Sequence, residues 1–153
     1  MGSCRVCVGA IISDVGHRVF IVRRAATAAV APGAWDIVGG HVKTGESDEE
    51  ALAREVFEET GWILRVVREQ IGVWQWSHGG ITRLERDYLV EVDGNLAAPS
   101  LDRREHDAWM WVDSTALEIL TEPTTRDTRL RDVVQRGIDL MTRRAAAHKK
   151  LQS

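Results

Sequence analysis

One segment, Ser47 to Gly61, constrains this chain more than any other. Ser47 followed three residues later by Glu50 fits a capping box, and Asp48 and Glu49 put negative charge where the helix dipole favours it. The run to Thr60 consists mostly of good helix formers, and Gly61 supplies the C-terminal stop. Leu52, Val56 and Glu59 follow the i, i+4, i+7 rule, so a carboxylate lies inside the apolar stripe that must face a core. Glu55, Glu58 and Glu59 form one acidic patch at i, i+3 and i+4 beside that stripe.

An acidic helix face is ordinarily just solvated, and like charges at this spacing then cost little. Beside a core the cost rises: two carboxylates about 6 Å apart at an effective dielectric of about 20 repel by about 3 kcal/mol. Three such groups next to apolar surface need a cation or must partly protonate. Hard carboxylate oxygens without Cys or paired His point to Mg²⁺, Mn²⁺ or Ca²⁺ rather than zinc. On spacing alone, a solvated face and a cation site both stay open. Upstream, Gly39-Gly40 gives a tight backbone passage whose carbonyls can approach an ion, and Glu46 adds a carboxylate just before the helix. Arg54 is the lone cation in the cluster, placed to orient one carboxylate or to pair with Glu58.

The flanking sequence reads mostly as strands. Residues 5–13 are apolar and β-branched, Ser13-Asp14-Val15-Gly16 is a turn signal, and Arg18 to Arg24 resumes the pattern, which predicts a hairpin. After an Ala-rich connection, Trp35 to Val38 is a short strand running into Gly39-Gly40. Ile63 to Ser77 and Ile81 to Val92 pair back across His78-Gly79-Gly80. Asn95 to Arg104 is a polar loop, Ala108 to Val112 a last strand, and Thr115 to Leu120 a short helix. A final helix is expected from Thr125 to His148, with Leu130, Val134, Ile138, Met141 and Ala145 on its packing face. Arg143, Arg144, Lys149 and Lys150 suit the negative end of its dipole. Strands, helix, strands, helix predicts an α/β or α+β sandwich, with residues 1–153 a single domain.

Composition removes other classes. The chain has 153 residues and a net charge of -3, from 20 Lys+Arg against 23 Asp+Glu. That leaves no basic excess for electrostatic binding of a nucleic-acid polymer. No stretch reaches the roughly 20 apolar residues of a membrane span, and Val6 to Ile12 lacks a basic leader and a cleavage signal. A cytoplasmic protein with no membrane partner is expected. Cys4 and Cys7 form a lone C-x-x-C. No second pair completes a zinc set, and on a strand the two thiols point to opposite faces, so a structural role is expected.

Gly40, five residues, Glu46, seven residues, Arg54-Glu55-Val56, one residue, Glu58-Glu59, one residue, Gly61-Trp62 resembles the Nudix box of Nudix hydrolases. Every fixed polar and glycine position is met. Trp62 stands where the family usually has Ile, Leu or Val, and it can fill the same apolar slot; Val38-Gly39-Gly40 stands where members often show Pro-Gly-Gly. The resemblance implies an α/β/α sandwich with a mixed β-sheet. It implies hydrolysis of a nucleoside diphosphate linked to another moiety, with Mg²⁺ or Mn²⁺. Glu55, Glu58 and Glu59 are then the metal ligands, with the Gly39 carbonyl a further one. Arg54 acts beside Glu55 and Glu58, and Gly40 and Glu46 support them. Members often carry an acidic residue before a Trp-Val strand. Glu105, ahead of Trp111-Val112, occupies that place as an extra ligand or the general base. Its neighbours His106 and Asp107 are alternatives for that role, although His106 is expected to be a surface loop residue.

In the implied mechanism a metal neutralises the diphosphate, water attacks phosphorus in line, and Glu105 or a box carboxylate takes the proton. Arg23 and Arg24 are the candidates to hold phosphates, and strand alternation lets only one face the site. Trp74 and Trp76 share a strand face and could stack a base or pack in the core, while Trp35 could line a pocket. Val19 to Ala26 is similar to the MutT-type subgroup, which cleanses nucleoside triphosphates. A nucleoside triphosphate cleaved to monophosphate and pyrophosphate is therefore expected. ADP-ribose, dinucleotide and nucleotide-sugar substrates stay open, as does a non-catalytic nucleotide sensor, which would be expected to lose acidic box positions. Oligomeric state is not readable from the sequence, and a homodimer stays open.

Overall fold

The computed structural model describes residues 3–123 and 126–153. Its elements run β1 (Cys4–Ile12), β2 (Val19–Arg24), β3 (Trp35–Asp36), β4 (Val38–His41), α1 (Asp48–Thr60), β5 (Ile63–His78), β6 (Ile81–Asp93) and β7 (His106–Val112). A 3-10 turn (Leu117–Leu120) and α2 (Arg129–Leu151) follow. The strands form a mixed sheet ordered β4-β1-β6-β5 and an antiparallel sheet ordered β3-β2-β7. Within the mixed sheet only β1 and β6 run parallel.

Strand alternation divides the core in two. Val8, Ala10 and Ile12 of β1, with Phe20 and Val22 of β2, pack on the side of Ala51, Leu52 and Val56 of α1. Ile11, Val19 and Ile21 point the other way, toward Val133, Val134, Ile138 and Met141 of α2. One helix thus covers each side, giving the expected α/β/α sandwich. Among the described residues no helix is long and apolar enough to cross a membrane.

α1 starts and stops as its sequence dictates. Ser47 Oγ accepts from Glu50 N, and Gly61, at φ 76°, closes the last turn by donating to the Phe57 carbonyl. Asp48 does more than complement the dipole, because Arg86 of β6 grips it with two bonds of 2.6 Å and the Tyr88 hydroxyl also donates to it. Trp62 is 2% exposed and packs edge-on to Phe20 at 4.7 Å. A Cβ at Gly94 would lie 2.4 Å from its indole, so glycine there makes room for the larger side chain.

Three local expectations change. β1 and β2 are not a paired hairpin: they lie in different sheets, joined by the single bridge Ser13↔Val19. β1 takes its ladders from β4 and from the distant β6, whose apolar faces it can match over nine register pairs. The stretch around Trp35 is two strands, with both glycines inside β4. The last helix begins at Arg129, and the expected start at Thr125 lies outside the described residues. The β5–β6 hairpin forms as expected, its two-residue turn Gly79-Gly80 carrying φ values of 60° and 75°.

Candidate active site

The β1–β4 ladder sets Gly39 and Gly40 opposite Gly9 and Val8, and α1 packs directly over β4. A Cβ on Gly40 would come within 2.4 Å of the Glu55 carboxylate, and one on Gly39 within 2.2 Å of the Val8 carbonyl. The glycines therefore let the helix carboxylates lie against the strand. Glu59, 6% exposed, accepts from Gly39 N at 3.0 Å. Burial drives its pKa well above the usual carboxylate range, and Glu55 adds repulsion. Glu55 is also pushed up by burial, against the pull of Arg54. A buried and a half-buried carboxyl that resist ionisation beside one another either keep protons or are balanced by a bound cation.

Arg54 organises this cluster. Its guanidinium donates to Glu46 at 2.8 and 2.9 Å, to Glu55 at 2.7 Å, to Glu58 at 3.3 Å and to the His41 carbonyl at 2.8 Å. Glu46, bonded also by Lys43 N, is held down to about 2. Arg54 thus contacts Glu55 and Glu58 at once.

A cavity of about 1020 Å³ borders this cluster. Gly39, Gly40, Arg54, Glu55, Glu59 and Glu105 line it. Glu58 does not; its side chain is 53% exposed, on the outer flank of α1. Of the two arginines, Arg24 lines the cavity, bound to Asp36 at 2.7 Å. Arg23 lies outside the lining, bound to Asp107 at 2.7 Å. Trp35, Trp74 and Trp76 line the same cavity. Trp74 and Trp76 belong to neither core cluster, and their ring centroids are 6.4 Å apart. His106 is a correction: it opens β7 rather than lying on a surface loop, and it is 5% exposed. One ring nitrogen of it falls with carboxylate oxygens of Glu59 and Glu105 in a group whose atoms all lie within 4.8 Å of one another.

A family model described as NUDIX domain matches residues 4–136. The chain belongs to the NUDIX family. It is 35% identical over 122 residues to the m7GpppN-mRNA hydrolase NUDT17 of Xenopus laevis, covering 71% of this chain and 41% of that one. This chain thus spans less than half of that relative's length. It is 32% identical over 109 residues to the CTP pyrophosphohydrolase of Escherichia coli, covering 68% of this chain and 72% of the relative. Among solved structures, the MutT NUDIX hydrolase from Burkholderia pseudomallei superposes with a TM-score of 0.70 at 27% identity, over 88% of this chain and 98% of that one.

This NUDIX chain also carries Glu85 in the cavity lining, with the fully buried Asp87 behind it, neither of them singled out from the sequence. Glu85 and Asp87 stand two apart on β6, and the indoles of Trp76 and Trp74 donate to them at 2.8 Å each. A Cβ at Gly9 would meet Asp87 Oδ1 at 2.0 Å and Glu85 Oε1 at 3.0 Å, so glycine lets the two carboxyls approach each other. Burial raises both pKa values, and repulsion from Asp87 and Asp36 raises that of Glu85 further. Arg83 lies over Trp76 at 4.5 Å and Arg129 over Trp74 at 5.1 Å. The alternation of Trp74, Trp76, Glu85 and Asp87 was visible in the sequence; the register that pairs Trp74 with Glu85 was not. Cys4 is exposed and Cys7 buried, its thiol 3.2 Å from His41 Nδ1 and pushed up to about 11 by burial.

Proposed function

We propose that this chain is a divalent-metal-dependent pyrophosphohydrolase that cleaves a nucleoside triphosphate to the monophosphate and pyrophosphate. The observation that carries this reading is one cavity bordered both by Glu55, Glu59 and Glu105 and by Trp35, Trp74 and Trp76. A cation-demanding end and an aromatic end in one space suit a ligand with a polyphosphate and a planar base. The similarity to a CTP pyrophosphohydrolase supports the same substrate class. A small nucleotide, rather than a nucleic-acid polymer, is the partner.

The carboxylates of Glu55, Glu59 and Glu105 offer hard oxygen donors, which fit Mg²⁺ or Mn²⁺. Glu58 and the Gly39 carbonyl join them by their position in the motif. A bound ion supplies charge neutralisation of the diphosphate and polarisation of its P–O bonds. Arg54 keeps Glu55 aimed inward while Glu46 fixes Arg54. Arg24 spends Nε and Nη2 on Asp36, which leaves Nη1 to donate to a phosphate oxygen. Glu105, exposed at the cavity edge, would hold the ion through one carboxylate oxygen and accept through the other the proton of the attacking water as the new P–O bond forms and the bridging P–O bond breaks.

The test is incubation with Mg²⁺ or Mn²⁺ and a panel of nucleoside triphosphates, ADP-ribose and dinucleoside polyphosphates, with products resolved by ion-exchange chromatography. Monophosphate and pyrophosphate from a triphosphate are expected. Cleavage of ADP-ribose or a dinucleotide alone reassigns the substrate, and no metal-dependent cleavage of any compound leaves only a nucleotide sensor.

A further inference from the structure

Among the described residues, His106 is the imidazole grouped with the carboxylates of Glu59 and Glu105, and it is an unusual companion for hard carboxylates. It is 95% removed from solvent, since only 5% of it is exposed, and its Nδ1 is buried without a hydrogen-bond partner among the described residues. A buried imidazole normally fixes its tautomer by bonding through its ring nitrogens. Here the ring instead lies beside Glu59 and Glu105, with one donor atom from each residue inside a 4.8 Å span. Two ligands on opposite sides of one ion with bonds of about 2.2 Å stand about 4.4 Å apart, so donor atoms within 4.8 Å of one another need close in by only a few tenths of an ångström to share one ion.

The backbone builds this placement. Glu105 N and His106 N both donate to the Asp102 carbonyl, at 3.0 and 2.9 Å, which folds the end of the loop into a turn. The Glu105 carbonyl then accepts from Ala25 N at 2.8 Å, tying the turn to the end of β2. Glu105 is thereby held at the open edge while His106, the next residue, turns into the protein beside Glu59.

We propose that His106 is a nitrogen ligand to the divalent ion, completing a set with Glu59 and Glu105, and that it biases the site toward Mn²⁺ over Mg²⁺. The inference rests on the metal-dependent reading above and adds to it a donor outside the acidic motif. Mg²⁺ prefers an all-oxygen shell and dehydrates reluctantly, whereas imidazole binds more strongly along the series of first-row divalent metals. One nitrogen among carboxylates is thus a device for discriminating between two ions that the carboxylates alone accept.

Pulsed EPR of the full chain labelled with ¹⁵N-histidine and loaded with Mn²⁺ reads this directly. A histidine ¹⁵N hyperfine coupling to the bound Mn²⁺ is expected, and it disappears in His106→Gln. In that variant the Mn²⁺ dissociation constant rises by about tenfold or more, while that for Mg²⁺, read by competition against the Mn²⁺ signal, changes by less than about threefold. The wild-type spectrum needs no variant to fold, and His106→Asn provides a second side chain of smaller volume. Mn²⁺ bound and hydrolysis intact, but no histidine coupling, overturns the ligand assignment and leaves the hydrolase reading standing. No Mn²⁺ bound at all overturns both.

Discussion

At the residue scale, Glu58 and Glu59 separate two properties that the acidic motif combines. Glu59 is buried against Glu55 and Gly39, while Glu58 stands in solvent with Arg54 as its partner. Replacing either by Gln is expected to lower turnover by about a hundredfold or more, measured with Mg²⁺ at saturating nucleotide. Their melting temperatures without metal should diverge. Glu59→Gln removes a buried carboxyl that folding makes hard to ionise in EDTA, and at neutral pH it should melt higher than the parent. Glu58→Gln changes an exposed group and should shift stability by less than about 0.5 kcal/mol. Equal melting shifts would show that the two carboxylates share one environment. Arg54→Lys tests the organiser: a single ammonium cannot reach Glu46, Glu55 and the His41 carbonyl in the planar fork that guanidinium provides. Turnover should fall about tenfold with KM nearly unchanged, because the damage is to the aim of Glu55 rather than to nucleotide contacts. A rise in KM alone would place Arg54 on the substrate.

At the element scale, the contact of β4 with α1 predicts opposite outcomes for adjacent glycines. A Cβ on Gly39 meets the Val8 backbone carbonyl, which cannot move without breaking the β1–β4 ladder. Gly39→Ala should cost about 1–3 kcal/mol in urea unfolding. A Cβ on Gly40 meets only the end of the Glu55 side chain, which can swing away. Gly40→Ala should stay folded with a near-parental urea midpoint and lose most of its activity. A Gly40→Ala enzyme of normal turnover would show that Glu55 need not rest against the strand. The same contrast explains what the sequence could disclose. α1 was legible to the residue because its cap, stripe and acidic spacing are local, and so was the place of Glu59 within the stripe. The pairing of β1 with β6 was not, since it joins segments nearly eighty positions apart through a parallel ladder. Nor was the approach of Trp74 and Trp76 to Asp87 and Glu85, because β5 slips register against β6 at three points before reaching them. His106 was hidden for a third reason: the turn on Asp102 that rolls it inward carries no apolar pattern.

At the scale of the whole molecule, two sets of carboxyls pull stability in opposite directions with pH. Glu46, at about 2, and Asp48, Asp102, Asp113 and Asp127, all lowered by hydrogen bonds to their ionised forms, favour the folded state above the ordinary carboxylate range. Their contribution is lost as pH falls through their folded values. Glu55, Glu59, Glu85 and Asp87 are raised, above all by burial, so the folded chain keeps protons there that the unfolded chain releases. Their contribution is present at low pH and is lost as pH rises from the ordinary values of 4.5 and 3.8 through the folded ones. The melting temperature in EDTA should therefore peak near about pH 5 and decline toward about pH 8. On the proposed metal-binding reading, a divalent ion held by Glu55 and Glu59 would neutralise those two carboxyls and not the Glu85–Asp87 pair bonded to the indoles. Mn²⁺ should then raise the melting temperature more at the alkaline end, flattening the decline without abolishing it. Asp87→Asn, which removes one charge of the pair while leaving an amide oxygen for the Trp74 indole, should remove most of what remains. Scanning calorimetry of parent and variant across that range, with and without Mn²⁺, separates the two contributions. A profile in EDTA that rises steadily from pH 5 to 8 would mean that these four carboxyls are ionised in the folded protein and balanced by charges elsewhere in the molecule.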